Sequence, residues 1–135
     1  MLNRYYAGSL SDASAWAQDW NRTWREYPAN PKSGVLLLHG MSDSPYSMRS
    51  LGEAMADGET AVLVLRIPGH GTAPSGLLDT RWEDMAAAVK LAMNDLRQTV
   101  GADAPISIVG YSNGGALAVE YSLSAIEDST LLMPH

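Results

Sequence analysis

The chain of 135 residues contains no cysteine, which excludes disulfide bonds, thiolate catalysis and cysteine-ligated zinc. It has no excess of positive charge either, because nine lysines and arginines stand against fifteen aspartates and glutamates, for a formal net charge of −6. A protein that holds nucleic acid by its net field needs the opposite sign, so no nucleic-acid partner is expected. Apolar runs such as Val35–Leu38 and Ala61–Leu65 are too short to cross a bilayer. With 46% hydrophobic and 18% charged residues, the chain is expected to be globular and to form at most one domain.

The first 33 residues differ from the rest and predict a helical extension. Trp16, Trp20 and Trp24 recur every four residues, which predicts an amphipathic helix over Asp12–Tyr27. The tryptophan stripe is interpreted as the face that docks this helix on the domain. Contact with a membrane interface, which tryptophan also suits, is the alternative, but acidic residues accompany the arginines and no strong basic face supports it. The opening residues lack the apolar core of a signal peptide, so the cytoplasm is slightly favoured while the compartment stays open.

From residue 34 onward, predicted strands and helices alternate. Three apolar runs are typical of strands buried on both faces: Val35–Leu38, Ala61–Leu65 and Ile106–Val109. Three stretches have helical periodicity: about Ser47–Asp57, Trp82–Val100 and Gly114–Ser124. This order predicts an α/β fold, a mostly parallel sheet with helices on both faces. The loops His39–Tyr46, Ile67–Thr80 and Gly110–Gly114 all leave the carboxyl ends of these strands, where the chemistry of such sheets collects.

The last of these loops carries a catalytic motif. Gly110-Tyr111-Ser112-Asn113-Gly114 reads Gly-x-Ser-x-Gly, directly between a predicted strand and a predicted helix. In that setting a sharp, strained turn holds the serine hydroxyl clear of the sheet, and glycines avoid the Cβ clashes of a close strand–helix passage. The N-terminus of the following helix points at the place where a negatively charged oxygen would form. The pattern predicts Ser112 as a nucleophile, the alternative being a solvated serine in a glycine-rich turn.

Two further stretches carry a family resemblance. Val35-Leu-Leu-Leu-His-Gly-Met-Ser-Asp-Ser-Pro-Tyr-Ser-Met48 resembles the strand and oxyanion loop of the α/β-hydrolase superfamily, in its esterase and lysophospholipase-like branch. Leu65-Arg-Ile-Pro-Gly-His-Gly-Thr72 resembles the Gly-His-Gly loop after the next strand of that branch. Together with the serine motif, the resemblance extends over about Gly34–Ser124. It implies a serine esterase with the N-terminal part of an α/β-hydrolase fold, a small acyl ester as substrate and no cofactor. No cluster of histidines and carboxylates has the spacing of metal ligands, so no metal site is expected.

The resemblance also implies roles for individual residues. Ser112 matches the nucleophile, and the backbone N–H groups of Met41 and Asn113 match the two donors of the oxyanion hole. Gly40 would let the backbone approach the substrate closely, although a plain turn glycine is the alternative. Tyr111 would line the acyl pocket together with Met41, with an ordinary packing role as the alternative.

The rest of the catalytic machinery is missing from this stretch of sequence. From the resemblance, His39 is expected to shape its loop, with a direct catalytic role as the alternative. His70 is expected to pack its own loop, the alternative being an approach to Ser112, since both loops open on the same sheet edge. In α/β-hydrolases the catalytic acid and histidine follow the serine along the chain. The acids that follow Ser112 here are Glu120, Glu127 and Asp128, which lie roughly 12–24 Å from it along the predicted helix at about 1.5 Å per residue, so none is expected to be the catalytic acid. His135 is not expected to be the catalytic histidine, because residues 131–134 read as the approach to, or the start of, the next strand.

We therefore expect residues 34–135 to be the N-terminal, incomplete part of an α/β-hydrolase domain. Its triad acid and histidine would come from a C-terminal part, either a second polypeptide of a nicked chain or a segment beyond this sequence. An apolar edge at the strand Ile106–Val109 would need such a part as a pairing partner. The alternative from another functional class is a non-catalytic binding or scaffold protein with an α/β-hydrolase-like fold.

Overall fold

The computed structural model describes residues 7–8, 12 and 20–135 of the chain. The strands are β1 (Trp24–Glu26), β2 (Ser33–Leu38), β3 (Thr60–Leu65) and β4 (Ile106–Gly110). The helices are α1 (Pro45–Met55), α2 (Trp82–Val100) and α3 (Asn113–Glu127), with a short 3₁₀ turn at Pro74–Leu77. The described strands form one sheet in the order β1-β3-β2-β4, in which β1 is antiparallel to β3 and the other pairs are parallel.

Helices cover both faces of the sheet because the central strands are apolar on both sides. Along β2, Leu36 and Leu38 point to the face that carries α2 and α3, where they join a core with Met93 and Tyr121. The intervening residues of β2 point to the opposite face and pack with Met48 of α1. A strand that is buried on both faces is an uninterrupted apolar run in the sequence, and β2 and β3 both have this pattern. The predicted α/β class, with its mostly parallel sheet between helices, is confirmed.

The helix predicted over residues 12–27 is wrong in its described C-terminal part. Residues 20–22 form a turn and a bend, and Trp24–Glu26 is strand β1, which pairs antiparallel with residues 62–64 of β3. Trp24 packs against Val64 and the face of α1 at Gly52, so its burial follows from strand pairing rather than from a helical stripe. Trp16 and the rest of residues 13–19 lie outside the described residues. The wider division into residues 1–33 and 34–135 stays a prediction.

Strand β4 lies at one edge of the described sheet. Ile108 and Val109 are half-buried, and the backbone N–H of His135 donates to the carbonyl of Ile106 at 2.8 Å. Beside this edge, helix α3 exposes more than half of each of three apolar side chains at helical spacing: Val119, Leu123 and Ile126. No helix in the part of the chain that the structure describes has the length and apolar character to span a membrane.

Candidate active site

The three loops predicted to carry chemistry meet at the carboxyl edge of the sheet. The backbone N–H of Tyr111, just after β4, donates to the carbonyl of Leu38 at the end of β2, at 3.0 Å. The Nε2 atom of His39, just after β2, accepts from the backbone N–H of Ile67, just after β3, at 3.1 Å. Parallel strands in register end together, so their loops touch directly.

Ser112 sits between β4 and α3 in a backbone conformation that side chains rarely adopt. Its φ is 52° and its ψ is −116°, and it occupies the N-cap position of α3 without a capping hydrogen bond from its side chain. A non-glycine residue at positive φ is held there by its surroundings at a cost of order 1–3 kcal/mol. The residue is exposed, so the turn presents the hydroxyl to the outside of the sheet edge above the first turn of the helix.

Two glycines make this sharp turn possible. A Cβ atom on Gly110 would overlap the backbone of Gly114, and a Cβ on Gly114 would overlap the carbonyl of Leu38. The start of α3 therefore lies directly on the ends of β4 and β2. The motif predicted Ser112 on such a strand–turn–helix passage, and its backbone follows that path.

Of the two predicted backbone donors, Met41 lies on the loop after β2 and Asn113 directly follows Ser112. Asn113 is the first residue of α3, a position whose N–H has no acceptor within the helix. Its side-chain amide donates to the sulfur of Met85 on α2 at 3.5 Å. Met41 is about half exposed, at 52%. The peptide between Gly40 and Met41 turns its carbonyl toward His39, whose Nδ1 lies 2.9 Å from the Gly40 oxygen. In a trans peptide the C=O and the N–H point in opposite directions, so the N–H of Met41 is directed away from the His39 ring.

The loop glycine and the aromatic residue predicted to contact substrate lie against each other. A Cβ atom on Gly40 would lie 3.1 Å from the ring of Tyr111 and 3.5 Å from the Cβ of Ser112. Tyr111 is 66% exposed. The absence of a side chain at Gly40 therefore leaves the Tyr111 ring room beside the serine.

His39 uses both ring nitrogens inside the protein. Nε2 accepts from Ile67, so the proton is on Nδ1, which donates to the carbonyl of Gly40. Burial lowers the pKa of this ring below 6.5, with the hydrogen bond to Gly40 opposing the shift. A fully buried ring with both nitrogens occupied is suited to holding the loop and has no free position from which to act as a base.

His70 packs against His39 on the neighbouring loop. The two ring centroids are 5.1 Å apart with an edge-to-face geometry, and His70 is only 2% exposed. Its Nδ1 lies 2.9 Å from the carbonyl of Pro68, within its own loop. Gly69 and Gly71, on either side, have φ values of 80° and 68°, which a side chain would disfavour.

The described residues do not complete a catalytic triad at Ser112. None of the three described histidines is hydrogen-bonded to its hydroxyl: His39 and His70 bind backbone groups, and the described bond of His135 is made by its own backbone. Glu120 accepts from Ser124 along α3, at 2.9 Å. Among the described residues, no group of three histidines and carboxylates is arranged to hold a metal ion.

The segment before β1 supports the loops after β2 and β3, a role that was not expected from the sequence. Ser44 donates its hydroxyl to the side chain of Asn21 at 2.7 Å, and the backbone N–H of Arg66 donates to the hydroxyl of Thr23 at 3.0 Å. No local signal marked these residues, because polar residues between Trp20 and Trp24 are also what an amphipathic helix carries on its solvent side.

Comparison with known proteins agrees with this architecture. Residues 35–134 match the model of a family described as the alpha/beta hydrolase family. The thermostable monoacylglycerol lipase of Bacillus sp. (strain H-257) is 37% identical over 93 residues, which are 69% of this chain and 36% of that protein. A structure from work on LipS and LipT, two metagenome-derived lipolytic enzymes, has a TM-score of 0.71 at 31% identity, over 79% of this chain and 42% of that one.

A more distant structure shares the fold alone. MenH from S. aureus has a TM-score of 0.58 at 21% identity, over 75% of this chain and 36% of its own. The chain thus spans between 36% and 42% of the length of these three proteins. Since the family model matches most of the chain and the sheet edge has the corresponding architecture, the chain belongs to the alpha/beta hydrolase family.

Proposed function

We propose that this chain carries the nucleophile of a serine hydrolase that cleaves carboxylic esters, of carboxylesterase or lysophospholipase-like type. The observation that carries the proposal is the backbone of Ser112, held at a φ of 52° at the junction of β4 and α3. A strained, exposed serine at a helix N-terminus is the arrangement that nucleophilic acyl transfer needs. The lipase and lipolytic names of two relatives above 30% identity favour an ester as the substrate.

The reaction proceeds through an acyl-enzyme on Ser112. Its Oγ attacks the acyl carbonyl carbon, and the carbonyl oxygen gains the negative charge. The backbone N–H groups of Met41 and Asn113 donate to that oxyanion, and loss of one such donor typically costs 10²–10³ in rate. The C–O bond to the alcohol then breaks, and the alcohol leaves with the proton that a base took from the serine. Water attacks the acyl-enzyme in the same way and releases the acid.

Gly40 and Tyr111 form the wall of the acyl site in this proposal. A side chain at position 40 would press on the Tyr111 ring and approach Ser112, so the glycine keeps the space beside the serine open. Tyr111 is two-thirds exposed at the same edge, where its ring offers apolar surface to an acyl chain.

The triad acid and histidine are proposed to come from a C-terminal part that completes the sheet. Three features support this: the edge position of β4, the bond from the His135 N–H to Ile106, and the apolar residues exposed on α3. An edge strand with half-buried apolar residues is a template for a further strand.

The test uses a fluorophosphonate reagent, which phosphonylates an activated serine, with intact mass as the readout. The full-length protein is expected to gain one adduct and to hydrolyse a p-nitrophenyl ester, and Ser112→Ala is expected to lose both. Ser50→Ala, an exposed serine on α1, is the matched control and should retain both.

The alternative is a non-catalytic binding or scaffold protein. It is favoured by one observation, that no described histidine bonds to Ser112. A full-length protein with no adduct, or an activity that persists unchanged in Ser112→Ala, would reject the serine-hydrolase proposal.

A further inference from the structure

Methionine is the only sulfur-containing residue of this chain, which has seven methionines and no cysteine. The methionine thioether takes up an oxygen atom from a peroxide and becomes a sulfoxide, a change that reductase enzymes reverse. A thioether in the core is shielded from the oxidant by its neighbours, so exposure decides which methionine reacts first. The exposed surface of each methionine therefore shows where this chain is open to oxidation.

Two of the described methionines are exposed. Met41 is 52% exposed and Met133 is 45% exposed. Three others belong to the core, with an exposure of 8% or less: Met48, Met85 and Met93. Met55 is half-buried, and Met1 lies outside the described residues. Of the two exposed methionines, only Met41 lies on a loop at the sheet edge that carries Ser112.

The backbone around Met41 is fixed by hydrogen bonds. The carbonyl of Gly40 accepts from the backbone N–H of Asp43 at 3.3 Å. This bond closes a turn whose central residues are Met41 and Ser42. The same carbonyl accepts from Nδ1 of the buried His39 ring at 2.9 Å, and Ser42 has a positive φ of 57°, which a side chain rarely adopts unless its surroundings hold it. The exposure of Met41 is therefore a property of a well-anchored turn.

The sulfur of Met41 lies near the proposed oxyanion site through covalent structure alone. The backbone N–H of this residue is one of the two donors in the proposed reaction, and only Cα, Cβ and Cγ separate that nitrogen from the sulfur. A sulfoxide adds an oxygen at the negative end of an S–O dipole, which disfavours a negative charge nearby. It also makes polar a side chain that is expected to line the acyl pocket.

We propose that Met41 is a site of reversible oxidation by hydroperoxides, and that its sulfoxide slows ester hydrolysis at Ser112. The thioether sulfur attacks the terminal oxygen of the hydroperoxide, so that an S–O bond forms and the O–O bond breaks. The rest of the oxidant takes the proton and leaves as an alcohol or, from hydrogen peroxide, as water. The oxidation itself stands on the exposure of Met41, whereas its effect on hydrolysis rests on the proposed function.

A completed active site keeps this sulfur within reach of the oxidant. An ester that binds with its carbonyl oxygen on the Met41 N–H needs an opening to that residue, and hydrogen peroxide is smaller than any ester. Met133 differs, because it lies beside the contact of His135 with Ile106, where a further strand is proposed to pair. Met41 is thus the exposed methionine that stays accessible in the full-length protein.

The first measurement locates the added oxygen. The full-length protein is treated with hydrogen peroxide for increasing times, and peptide mass spectrometry gives the fraction of each methionine that has gained one oxygen atom. Met41 is expected to be oxidised first among the described methionines, while Met93, with no exposed surface, stays reduced.

The second measurement follows kcat/KM for a p-nitrophenyl ester in the same samples. It should fall in proportion to the sulfoxide fraction at Met41, by about tenfold or more at full oxidation, which is the effect of losing one apolar contact in a binding pocket. Methionine sulfoxide reductase should restore activity as it removes the oxygen from Met41.

Met41→Leu and Met133→Leu are the matched variants. Each replaces the thioether by a hydrocarbon side chain of similar volume, and each is compared with its own untreated sample. Met41→Leu should keep its activity under peroxide, whereas Met133→Leu should lose activity as the wild type does. Met41→Gln, whose amide is polar like the sulfoxide, should have a lower kcat/KM than Met41→Leu without any oxidant.

Any of three results would overturn the proposal. They are a Met41 that stays reduced while buried methionines are oxidised, a fully oxidised Met41 with unchanged kcat/KM, and equal rates of inactivation in Met41→Leu and the wild type. Failure of the proposed function is seen separately, in untreated protein, as ester hydrolysis that is absent or that survives in Ser112→Ala. The mass measurement tests the modification in either case.

Discussion

The Nε2 atom of His39 accepts a hydrogen bond from the backbone N–H of Ile67 at 3.1 Å, across 28 residues of sequence. Through its other nitrogen the same ring holds the carbonyl of Gly40 at 2.9 Å. One buried side chain thus joins the loop after β2 to the loop after β3 and fixes the peptide that precedes Met41.

Removing this ring is expected to destabilise the protein. His39→Ala leaves the buried N–H of Ile67 without a partner, removes the shorter of the two hydrogen bonds to the carbonyl of Gly40 and opens a void, so the free energy of unfolding should fall by about 2–4 kcal/mol. Urea denaturation of the full-length protein measures it. Gln98→Ala, which removes an exposed side chain on α2, is the control and should change stability by less than about 0.5 kcal/mol. Equal effects of the two substitutions would contradict the role given to His39.

The same ring predicts a pH dependence of stability. Burial lowers the pKa of His39 below 6.5, so below pH 6.5 the unfolded chain binds a proton more readily than the folded one. The contribution of the neutral ring is fully present above pH 6.5 and is lost as the pH falls from 6.5 towards the lower folded pKa.

Unfolding midpoints measured from pH 7.5 to pH 5 are the appropriate readout. The decline of stability on acidification should be shallower in His39→Gln, whose amide does not titrate, than in the wild type. Parallel curves for the two proteins would show that His39 does not titrate in this range.

The close passage at the serine turn predicts an asymmetry between two adjacent glycines. A Cβ at Gly114 would overlap the carbonyl of Leu38, whereas a Cβ at Gly115 would have its nearest neighbour, the Gly110 carbonyl oxygen, at 3.3 Å. Gly114→Ala should therefore lower the free energy of unfolding by more than about 2 kcal/mol. Gly115→Ala should change it by much less, since the gain in helix propensity, about 1 kcal/mol, offsets the tight contact. Chemical denaturation of the two variants measures both free energies of unfolding. A larger loss in Gly115→Ala than in Gly114→Ala would contradict the close contact between Gly114 and Leu38.

The strain at Ser112 predicts that stability and catalysis are opposed there. Glycine adopts a positive φ without a steric penalty, so Ser112→Gly should be more stable than Ser112→Ala by about 1 kcal/mol. Neither variant should hydrolyse an ester. Thermal and urea unfolding of the two variants give the comparison. Identical stabilities would mean that the turn bears no strain that glycine relieves.

Part of the candidate site follows from local sequence. The Gly-x-Ser-x-Gly pattern needs a strand before it and a helix after it, and apolar periodicity identifies both, so the conformation of Ser112 was predictable. The buried strands β2 and β3 were recognisable for the same reason, because a central strand of a parallel sheet is apolar on both faces.

Other features depend on contacts between distant residues. The four-residue spacing of Trp20 and Trp24 fits a helix as well as any other element, and only pairing with β3 made Trp24–Glu26 a strand. The bonds of Asn21 and Thr23 to the loops follow from that pairing, and so were not visible in the sequence.

The sequence by itself determined the order of the elements from residue 34 onward, the strand–turn–helix path at Ser112 and the family, because each rests on residues that are neighbours along the chain. Only the tertiary structure decided what His39 and His70 bind, since the partners of a buried ring are set by how the loops pack. It alone placed His70 and Thr72 among the residues that line one cavity, each with a buried polar atom that has no hydrogen-bond partner within the described part of the chain. A side chain's type records which hydrogen bonds it is able to make, whereas the fold determines which of them it makes.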